Sequence, residues 1–335
     1  MTLIEQLPKA ELHLHIEGTL EPAMLLSLAQ RNKVAVPYQS EEAVHQAYQF
    51  DCLQDFLDLY YLGMSVLVTE QDFYDLTKAY LDKVASQNVV HTEIFFDPQA
   101  HTDRGIAFET VIDGITTALQ DAQHQHGVTH RLIMCFLRHL PEAQALATLQ
   151  TASAHRNRIF GVGLDSSEKD FPPARFSKVF AAAVEQGYVP VAHAGEEGPP
   201  AYVQSALDDL KVRRIDHGNR ALDDAVLTAR LAKEQIPLTM CPLSNLRLCV
   251  IESMADSPVR RAMQAGLLVT NNSDDPSYFG GYLTENYQAV ADALGLSNDE
   301  IVQLAKNSFV GSFLPPDEIA RHISRIDRTV GSSMG

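Results

Sequence analysis

Eight short apolar runs alternate with longer segments of helical periodicity, and this alternation restricts the possible folds more than any other feature of the chain. The runs are rich in β-branched residues, which is typical of buried strands. They cover Lys9–Ile16, Val89–Asp97, Arg131–Arg138, Phe160–Asp165, Tyr188–His193, Arg214–His217, Pro237–Cys241 and Leu267–Asn271. Such alternation favours parallel strands joined by right-handed crossovers. The sequence therefore predicts an α/β fold, a (β/α)8 TIM barrel, with a large open sheet as the alternative.

The open sheet is the weaker alternative, because no GxGxxG or GxxxxGK loop follows any of the eight runs.

Two regions exceed a minimal barrel. Between the first two strands, helical patterns at Pro22–Arg31, Leu53–Val68 and Asp72–Ser86 predict an insertion that hangs over the site face as a lid. After the last strand, Glu285–Leu294, Asp299–Phe313 and Pro315–Arg328 predict extra helices. With no linker or repeat in sight, we expect one domain over residues 1–330 and a frayed tail over 331–335.

The charge of the chain excludes some classes of partner. Acidic residues number 43 against 26 basic ones, which gives a formal net charge of -17. An acidic surface repels nucleic acid and anionic membranes, so neither is an expected partner. We expect a cytoplasmic protein, because the N-terminus lacks the pattern of a signal peptide and no apolar run is long enough for a membrane helix. The oligomeric state cannot be read from the sequence.

Histidine and acidic residues gather where four of the predicted strands end. The first strand ends in His13-Leu14-His15, and the period of two along a strand turns both imidazoles to the same side. The other three clusters are His193-Ala194-Gly195-Glu196, Asp216-His217-Gly218 and Ser273-Asp274-Asp275-Pro276. Active sites of barrel enzymes are built at this end of the strands. Imidazole and carboxylate ligands suit zinc, and the richness in nitrogen disfavours an iron facial triad.

Each cluster also has an ordinary explanation. His217 could be a hydrogen-bonded core histidine, and Glu196 could cap a helix that begins near Pro199. Asp274 and Asp275 could form a turn before Pro276, since Asp-Pro favours turns. A stripe of Phe50, Phe56, Tyr60 and Tyr61 is more typical of a helix core than of a surface that stacks on a base. If the insertion is a lid, these rings could instead roof the ligand.

These four clusters resemble, in order, the motifs of the adenosine/adenine deaminase family of the metal-dependent amidohydrolases. The resemblance begins with His13-Leu14-His15-Ile16-Glu17-Gly18 and extends from Pro8 to about Asn307. It implies one zinc ion per chain, held by His13, His15, His193 and Asp274, which activates water for attack on C6 of a purine. It also implies that His217 orients that water, that Glu196 is the general acid and that Asp275 binds N7 of the base.

The same resemblance bears on the substrate, which we expect to be a small purine base. Adenosine enzymes of the family carry Asp where this chain has Glu17, and that Asp binds the ribose. The longer Glu17 would reach into the ribose space and could contact the base itself. The stretches Phe95–Gln99 and Gly163–Glu168 also resemble the adenine branch. We therefore predict deamination of adenine to hypoxanthine and ammonia, with adenosine or N6-substituted adenines as alternatives.

Two other readings remain. A different hydrolase of the superfamily could bridge two metal ions with a carboxylated lysine, but the predicted fourth strand, Phe160–Asp165, contains no lysine. A non-catalytic purine-binding barrel is the alternative from another class. It predicts a missing ligand or a missing general acid, and this chain lacks neither.

Overall fold

The strands of the protein all run parallel. The computed structural model describes residues 1–333 of the chain. Its strands are β1 Lys9–His15, β2 Val89–Phe96, β3 Thr129–Leu137, β4 Gly161–Asp165, β5 Val189–Pro190, β6 Ala192–Ala194, β7 Ile215–His217, β8 Leu238–Met240 and β9 Val269–Asn271. They form two sheets with neighbours in chain order, β1 to β5 and β6 to β9. Every pairing is parallel.

The two sheets join into a ring at both of their seams. Only Val191 separates β5 from β6, and its N–H donates to the Val162 carbonyl at 2.9 Å. At the other seam, His15 N donates to the Asp274 carbonyl at 3.0 Å, and Asp274 N donates to the His13 carbonyl at 3.1 Å. The predicted (β/α)8 barrel is therefore confirmed. The predicted fifth strand is interrupted near Pro190, which has no N–H for a ladder hydrogen bond.

Helices connect the strands and extend the chain at both ends of the barrel. They are α1 Leu3–Gln6, α2 Pro22–Asn32, α3 Glu41–Ala47, α4 Leu53–Met64, α5 Glu70–Ser86, α6 Pro98–Thr102, α7 Phe108–His126, α8 Glu142–Ala152, α9 Ser177–Glu185, α10 Pro200–Asp209, α11 Ala225–Glu234, α12 Pro242–Arg247, α13 Val259–Gln264, α14 Pro276–Phe279, α15 Leu283–Leu294, α16 Asn298–Val310 and α17 Pro316–Ser333. Short 3-10 helices cover Glu17–Thr19, Ser153–His155, Pro173–Phe176, Asn219–Asp223 and Met254–Asp256.

The crossover helices end where their sequences predict. Gly127 follows α7 with a φ of +71°, and its N–H donates to the carbonyl of Gln123 at 3.0 Å. Gly187, just after α9, has a φ of +86°. Glycine takes this left-handed conformation without a steric cost, and it redirects the chain from helix to strand.

The predicted helical insertion after β1 is confirmed as α2 to α5. Its helix α4 lies against the mouth of the barrel and packs with Tyr278 and Phe279 in a second apolar core. Phe50, Phe56 and Tyr60 belong to that core, as their spacing predicts.

The C-terminal helices α15 and α16 pack beside β9, and α17 packs on α16. The last helix continues to Ser333, beyond Gly331 where we expected a tail to begin. Met334 and Gly335 lie outside the described residues. Nowhere in residues 1–333 does a helix combine the length and the apolar character needed to cross a lipid bilayer.

Candidate metal centre and purine pocket

Five of the side chains singled out by the sequence lie together at the carboxyl end of the barrel. His13 and His15 project from β1, His193 from β6 and His217 from the end of β7, while Asp274 follows β9. All five are buried, with at most 6% of their surface exposed. Parallel strands bring their carboxyl ends to one rim, so residues far apart in sequence become neighbours there.

The four predicted ligands form one continuous cluster. Asp274 Oδ1 lies 3.1 Å from His13 Nε2 and 3.6 Å from His15 Nε2. The Nε2 atoms of His15 and His193 are 3.0 Å apart. His217 also joins the cluster, because donor atoms of His13, His193, His217 and Asp274 all lie within 4.8 Å of one another. Imidazole and carboxylate lone pairs therefore converge on one small volume.

This donor set fits a zinc ion. His13 Nδ1 lies 2.9 Å from Thr239 Oγ1, which itself donates to Asp216 Oδ1 at 3.0 Å. Because Thr239 uses its proton on Asp216, it accepts the proton of His13 Nδ1. His13 Nε2 is buried, faces Asp274 Oδ1 at 3.1 Å and makes no hydrogen bond of acceptable geometry within residues 1–333. A histidine oriented in this way by a hydrogen bond on its other nitrogen is the usual form of a zinc ligand.

Glu196 and His217 face each other beside the cluster. Glu196 Oε2 lies 3.6 Å from His217 Nε2, which is 3.8 Å from Asp274 Oδ2. Burial, together with the nearby Asp274 carboxylate, raises the pKa of Glu196 well above its usual value. Burial lowers the pKa of His217 to about 3. Burial therefore favours the neutral form of both groups, a suitable start for proton donation and acceptance.

Two of the site residues have left-handed backbone. The φ angle is +64° at His217 and +63° at Asp274. For side chains other than glycine this conformation costs on the order of 1 kcal/mol or more. At Asp274 the two backbone hydrogen bonds to β1 maintain it. Residues held this way are concentrated at functional sites, where the surroundings fix an otherwise unfavourable geometry.

A pocket of about 380 Å³ opens onto the cluster. Helix α4 forms its roof through the side chains of Leu53, Phe56, Leu57, Tyr60 and Tyr61. The aromatic stripe belongs both to a helix core and to the pocket lining, because Phe56 and Tyr60 pack in the second apolar core and also line the pocket.

Hydrogen bonds tie the roof to the barrel rim. Tyr61 Oη and Ser166 Oγ are 2.8 Å apart, and Ser167 Oγ donates to Gln54 Oε1 at 2.7 Å. Tyr60 Oη donates to Asp97 Oδ2 at 3.4 Å. These hydrogen bonds hold α4 against the barrel rim beside the pocket.

Asp275 lines the pocket beside Asp274. Its carboxyl group fills the space that a side chain at position 18 would need, and Gly18 has no side chain. A Cβ atom at Gly18 would overlap Asp275 Oδ1 and lie 2.6 Å from Asp275 Cβ. This close approach gives a physical reason for the glycine that follows Glu17. Asp275 Oδ1 is buried and has no hydrogen-bond partner in the part of the chain that the structure describes.

Glu17 is not among the residues that line the pocket. Its Oε1 accepts from the backbone N–H of Asp97 at 3.1 Å and lies 2.9 Å from His101 Nε2. Burial raises the pKa of Glu17 to about 7. Glu17 therefore lies behind Asp97, and Asp97 is the residue that reaches the pocket.

Sequence reasoning gave no role to Asp97 and Asp165, although both carboxyl groups line the pocket. Their carboxylates and a ring nitrogen of His15 lie within 4.8 Å of one another. Each is the last residue of a predicted strand, which is a signal of the same kind as the one that identified the other site residues. Neither stands in a recognisable motif with histidine.

The barrel and the donor cluster at its mouth define a metal-dependent hydrolase of the amidohydrolase type. The family model described as "Adenosine deaminase" matches residues 8–329. An adenine deaminase of Sphingopyxis alaskensis is 62% identical over 97% of this chain and 95% of its own length. The crystal structure of an adenine deaminase from Arthrobacter aurescens has a TM-score of 0.95 at 46% identity, covering 97% of this chain and 99% of that one.

A zinc-containing relative is similar in fold. The crystal structure of an amidohydrolase from Burkholderia ambifaria with bound Zn has a TM-score of 0.90 at 26% identity, covering 98% of this chain and 93% of that one. The chain belongs to the adenosine deaminase family.

Proposed function

We propose that this enzyme catalyses the hydrolytic deamination of adenine, converting adenine and water to hypoxanthine and ammonia. One observation carries the proposal: three imidazoles and a carboxylate converge beside a buried carboxyl group, Glu196, in one pocket at the mouth of the barrel. The relatives named adenine deaminase support the choice of substrate, because they are 62% and 46% identical to this chain over nearly its whole length.

We assign one zinc ion per chain to His13, His15, His193 and Asp274. When bound, zinc acts as a Lewis acid that brings the pKa of water toward neutrality. The unpartnered Nε2 of His13 and the 3.0 Å approach of His15 to His193 support this assignment. The chemistry of the four donors is that of a catalytic zinc site.

The remaining site residues handle the protons and the base. His217 orients the attacking water and accepts its proton, since its neutral imidazole lies next to Asp274. Glu196 gives its proton to the ring nitrogen beside C6, so that the ring can accept the new bond at C6. His217 then passes its proton to the amino group, which leaves C6 as ammonia, and the new hydroxyl group returns a proton to Glu196 as the ring carbonyl forms. Asp275 lines the pocket, and burial raises its pKa well above the usual value, so its carboxyl group donates to N7 and fixes the plane of the base.

The pocket favours the free base over the nucleoside. Glu17 supports Asp97 from behind, through the backbone N–H of Asp97, and Asp97 lines the pocket. The α4 roof is hydrogen-bonded to the rim at Tyr60 and Tyr61. A ribose on N9 would have to displace one of these groups. A site that binds one group and sterically excludes another can discriminate by several orders of magnitude.

The test is metal analysis combined with steady-state kinetics on adenine, adenosine and N6-alkyl adenines. We expect one zinc per chain and the highest kcat/KM on adenine. A higher kcat/KM on adenosine or on an N6-alkyl adenine would overturn the substrate assignment. Two metal ions per chain would point to the bridged hydrolases, and a metal-loaded protein that binds adenine without turnover would point to the non-catalytic barrel.

A further inference from the structure

A buried carboxylate outside the pocket holds the loop that carries Glu196. Glu168 follows β4 and is fully buried. Its Oε1 accepts from Gly195 N at 2.6 Å, and its Oε2 accepts from the backbone N–H groups of Glu196, Glu197 and Gly198 at 3.0, 2.9 and 2.7 Å. Four consecutive amides therefore point at one side chain. A carboxylate that accepts this many N–H bonds offsets the cost of its burial.

The loop is shaped to fit this carboxylate. Gly195 has a φ of +73°, which turns its amide toward Glu168. A Cβ atom at Gly198 would lie only 2.6 Å from Glu168 Oε1. The segment therefore follows the carboxylate closely at both ends, and the Cα atom of Glu196 lies between them.

Arg138 holds the other side of the same turn. Its guanidinium is buried, with Nη1 donating to the His193 carbonyl at 2.7 Å and Nε to the Phe171 carbonyl at 2.9 Å. Burial lowers the pKa of Arg138, and Glu168 is the strongest influence that opposes this. The turn is therefore held by two buried side chains. Arg138 binds the carbonyl of His193, and Glu168 binds the amide of Glu196.

We propose that Glu168 is a positioning residue, which fixes the general acid Glu196 against the purine by binding the amides of residues 195–198. This inference rests on the proposed function, because it assumes that Glu196 protonates the base. Glu168 lies outside the pocket, so it acts only through the loop. The glutamine variant replaces one acceptor oxygen by an NH2 group, which must face at least one of the four N–H donors.

The main test is E168Q, assayed as folded, metal-loaded enzyme with adenine. We expect kcat to fall about 100-fold, as a displacement near 1 Å of a catalytic group can cause. KM and zinc content should stay close to those of the unchanged enzyme. G198A tests the same contact between Glu168 and the loop, because its added methyl group displaces the Glu168 carboxylate without altering its charge. It should lower kcat in the same way.

A double-variant cycle separates positioning from general stability. If Glu168 acts through Glu196, E168Q should cost almost nothing further in an E196Q background, whereas a purely structural loss would add to it. The matched control is E142Q. Glu142 Oε1 accepts two backbone N–H groups at the start of α9, at 2.8 and 3.1 Å, away from the site. That variant should keep the full kcat.

The outcomes are distinct. Wild-type kcat in G198A or in folded E168Q, or additive losses in the double variant, would overturn the assignment of Glu168. If E168Q yields no folded protein, G198A alone and combined with E196Q decides the question. Failure of the unchanged enzyme to deaminate adenine would instead overturn the proposed function.

Discussion

Glu196 and Glu197 are adjacent glutamates in very different surroundings. Glu196 is 4% exposed and lines the pocket, whereas the side chain of Glu197 is exposed. We predict that E196Q retains zinc, because Glu196 is not a proposed ligand, and that it loses a factor of about 10² to 10⁴ in kcat through loss of the general acid. Metal analysis and steady-state kinetics check both parts.

The adjacent residue provides the control for that prediction. E197Q keeps the backbone N–H that binds Glu168, and its remaining amide oxygen can still accept from the backbone of Leu53 at the start of α4, so it should behave as the unchanged enzyme. Wild-type turnover in E196Q would remove the general acid from the mechanism.

Gly18 gives a second prediction at the level of one residue. In G18A the new methyl group must displace the Asp275 carboxylate from its place in the pocket. Losing the hydrogen bond that protonated Asp275 donates to N7 should raise KM for adenine about 10-fold. D275A should raise KM to a similar degree. An unchanged KM in G18A would contradict the assignment of Asp275 to the base.

Single residues differed in how well the sequence revealed them. His13 and His15 stand in one strand, so their common direction follows from the period of two. Asp97 and Asp165 belong to separate strands, and their proximity in the pocket depends on the register of the sheet. The importance of Glu168 depends on the path of a loop 27 residues further along the chain, as its bond to Gly195 shows. Local patterns contain no information of that kind.

Among the elements, the pair α15 and α16 is joined by a compact polar clamp. Glu300 accepts from the backbone N–H and the hydroxyl of Ser297, which caps α16. Arg260, on α13, donates to Glu300 at 2.8 Å and also to the carbonyls of Leu294 and Gly295 at the end of α15. The clamp therefore satisfies backbone groups that both helix ends leave unpaired.

We predict that E300Q lowers the free energy of unfolding by about 1 kcal/mol at neutral pH, through loss of the cap and the ion pair. The Arg260 hydrogen bond is the main cause that lowers the pKa of Glu300, from 4.5 to about 2. A carboxyl group with a depressed pKa contributes stability above pH 4.5 and loses it as the pH falls toward 2.

Denaturant titrations of both proteins between pH 7 and pH 2 provide the measurement. The difference between E300Q and the unchanged enzyme should shrink across that acid range. E234Q is the control, since Glu234 makes only an exposed i,i+4 pair with Arg230. A difference that does not depend on pH would contradict the role given to the charge.

Elements were easier to predict than their ends. The strong periodicity of α5 and α7 and the glycine stops identified the crossover helices. The interruption of the fifth strand was missed, because Pro190 lies inside an apolar run that otherwise resembles one strand. The short helix α3 was also missed, since its seven residues offer less than two full turns of pattern.

At the scale of the whole molecule, the proposed ligands connect three distant parts of the barrel, β1, β6 and the segment after β9. A ligand that binds only the folded state stabilises it by mass action, by about 4 kcal/mol at a thousand times Kd. We predict that removing zinc with a chelator lowers Tm by several degrees and that returning zinc restores it. D274A should have a Tm that does not respond to the chelator.

Calorimetry or fluorescence-monitored melting measures this response. A Tm of the unchanged enzyme that is insensitive to a chelator, while metal analysis reports complete removal, would contradict the site.

The barrel class itself followed from the order of the elements, because the strand–helix alternation extends along most of the chain. The order of the elements did not predict how the two sheets join, because each seam depends on a few backbone hydrogen bonds.

The seam between β1 and Asp274 has a consequence for how the enzyme is made. The same pair of amide–carbonyl contacts that completes the cylinder also brings Asp274, the one acidic member of the proposed ligand set, to the two histidines of the first strand. A nascent chain that has not yet emerged as far as residue 274 can assemble most of the sheet, but it lacks a complete coordination sphere. With the proposed ligand set, cation capture is therefore expected only after synthesis has passed the last strand.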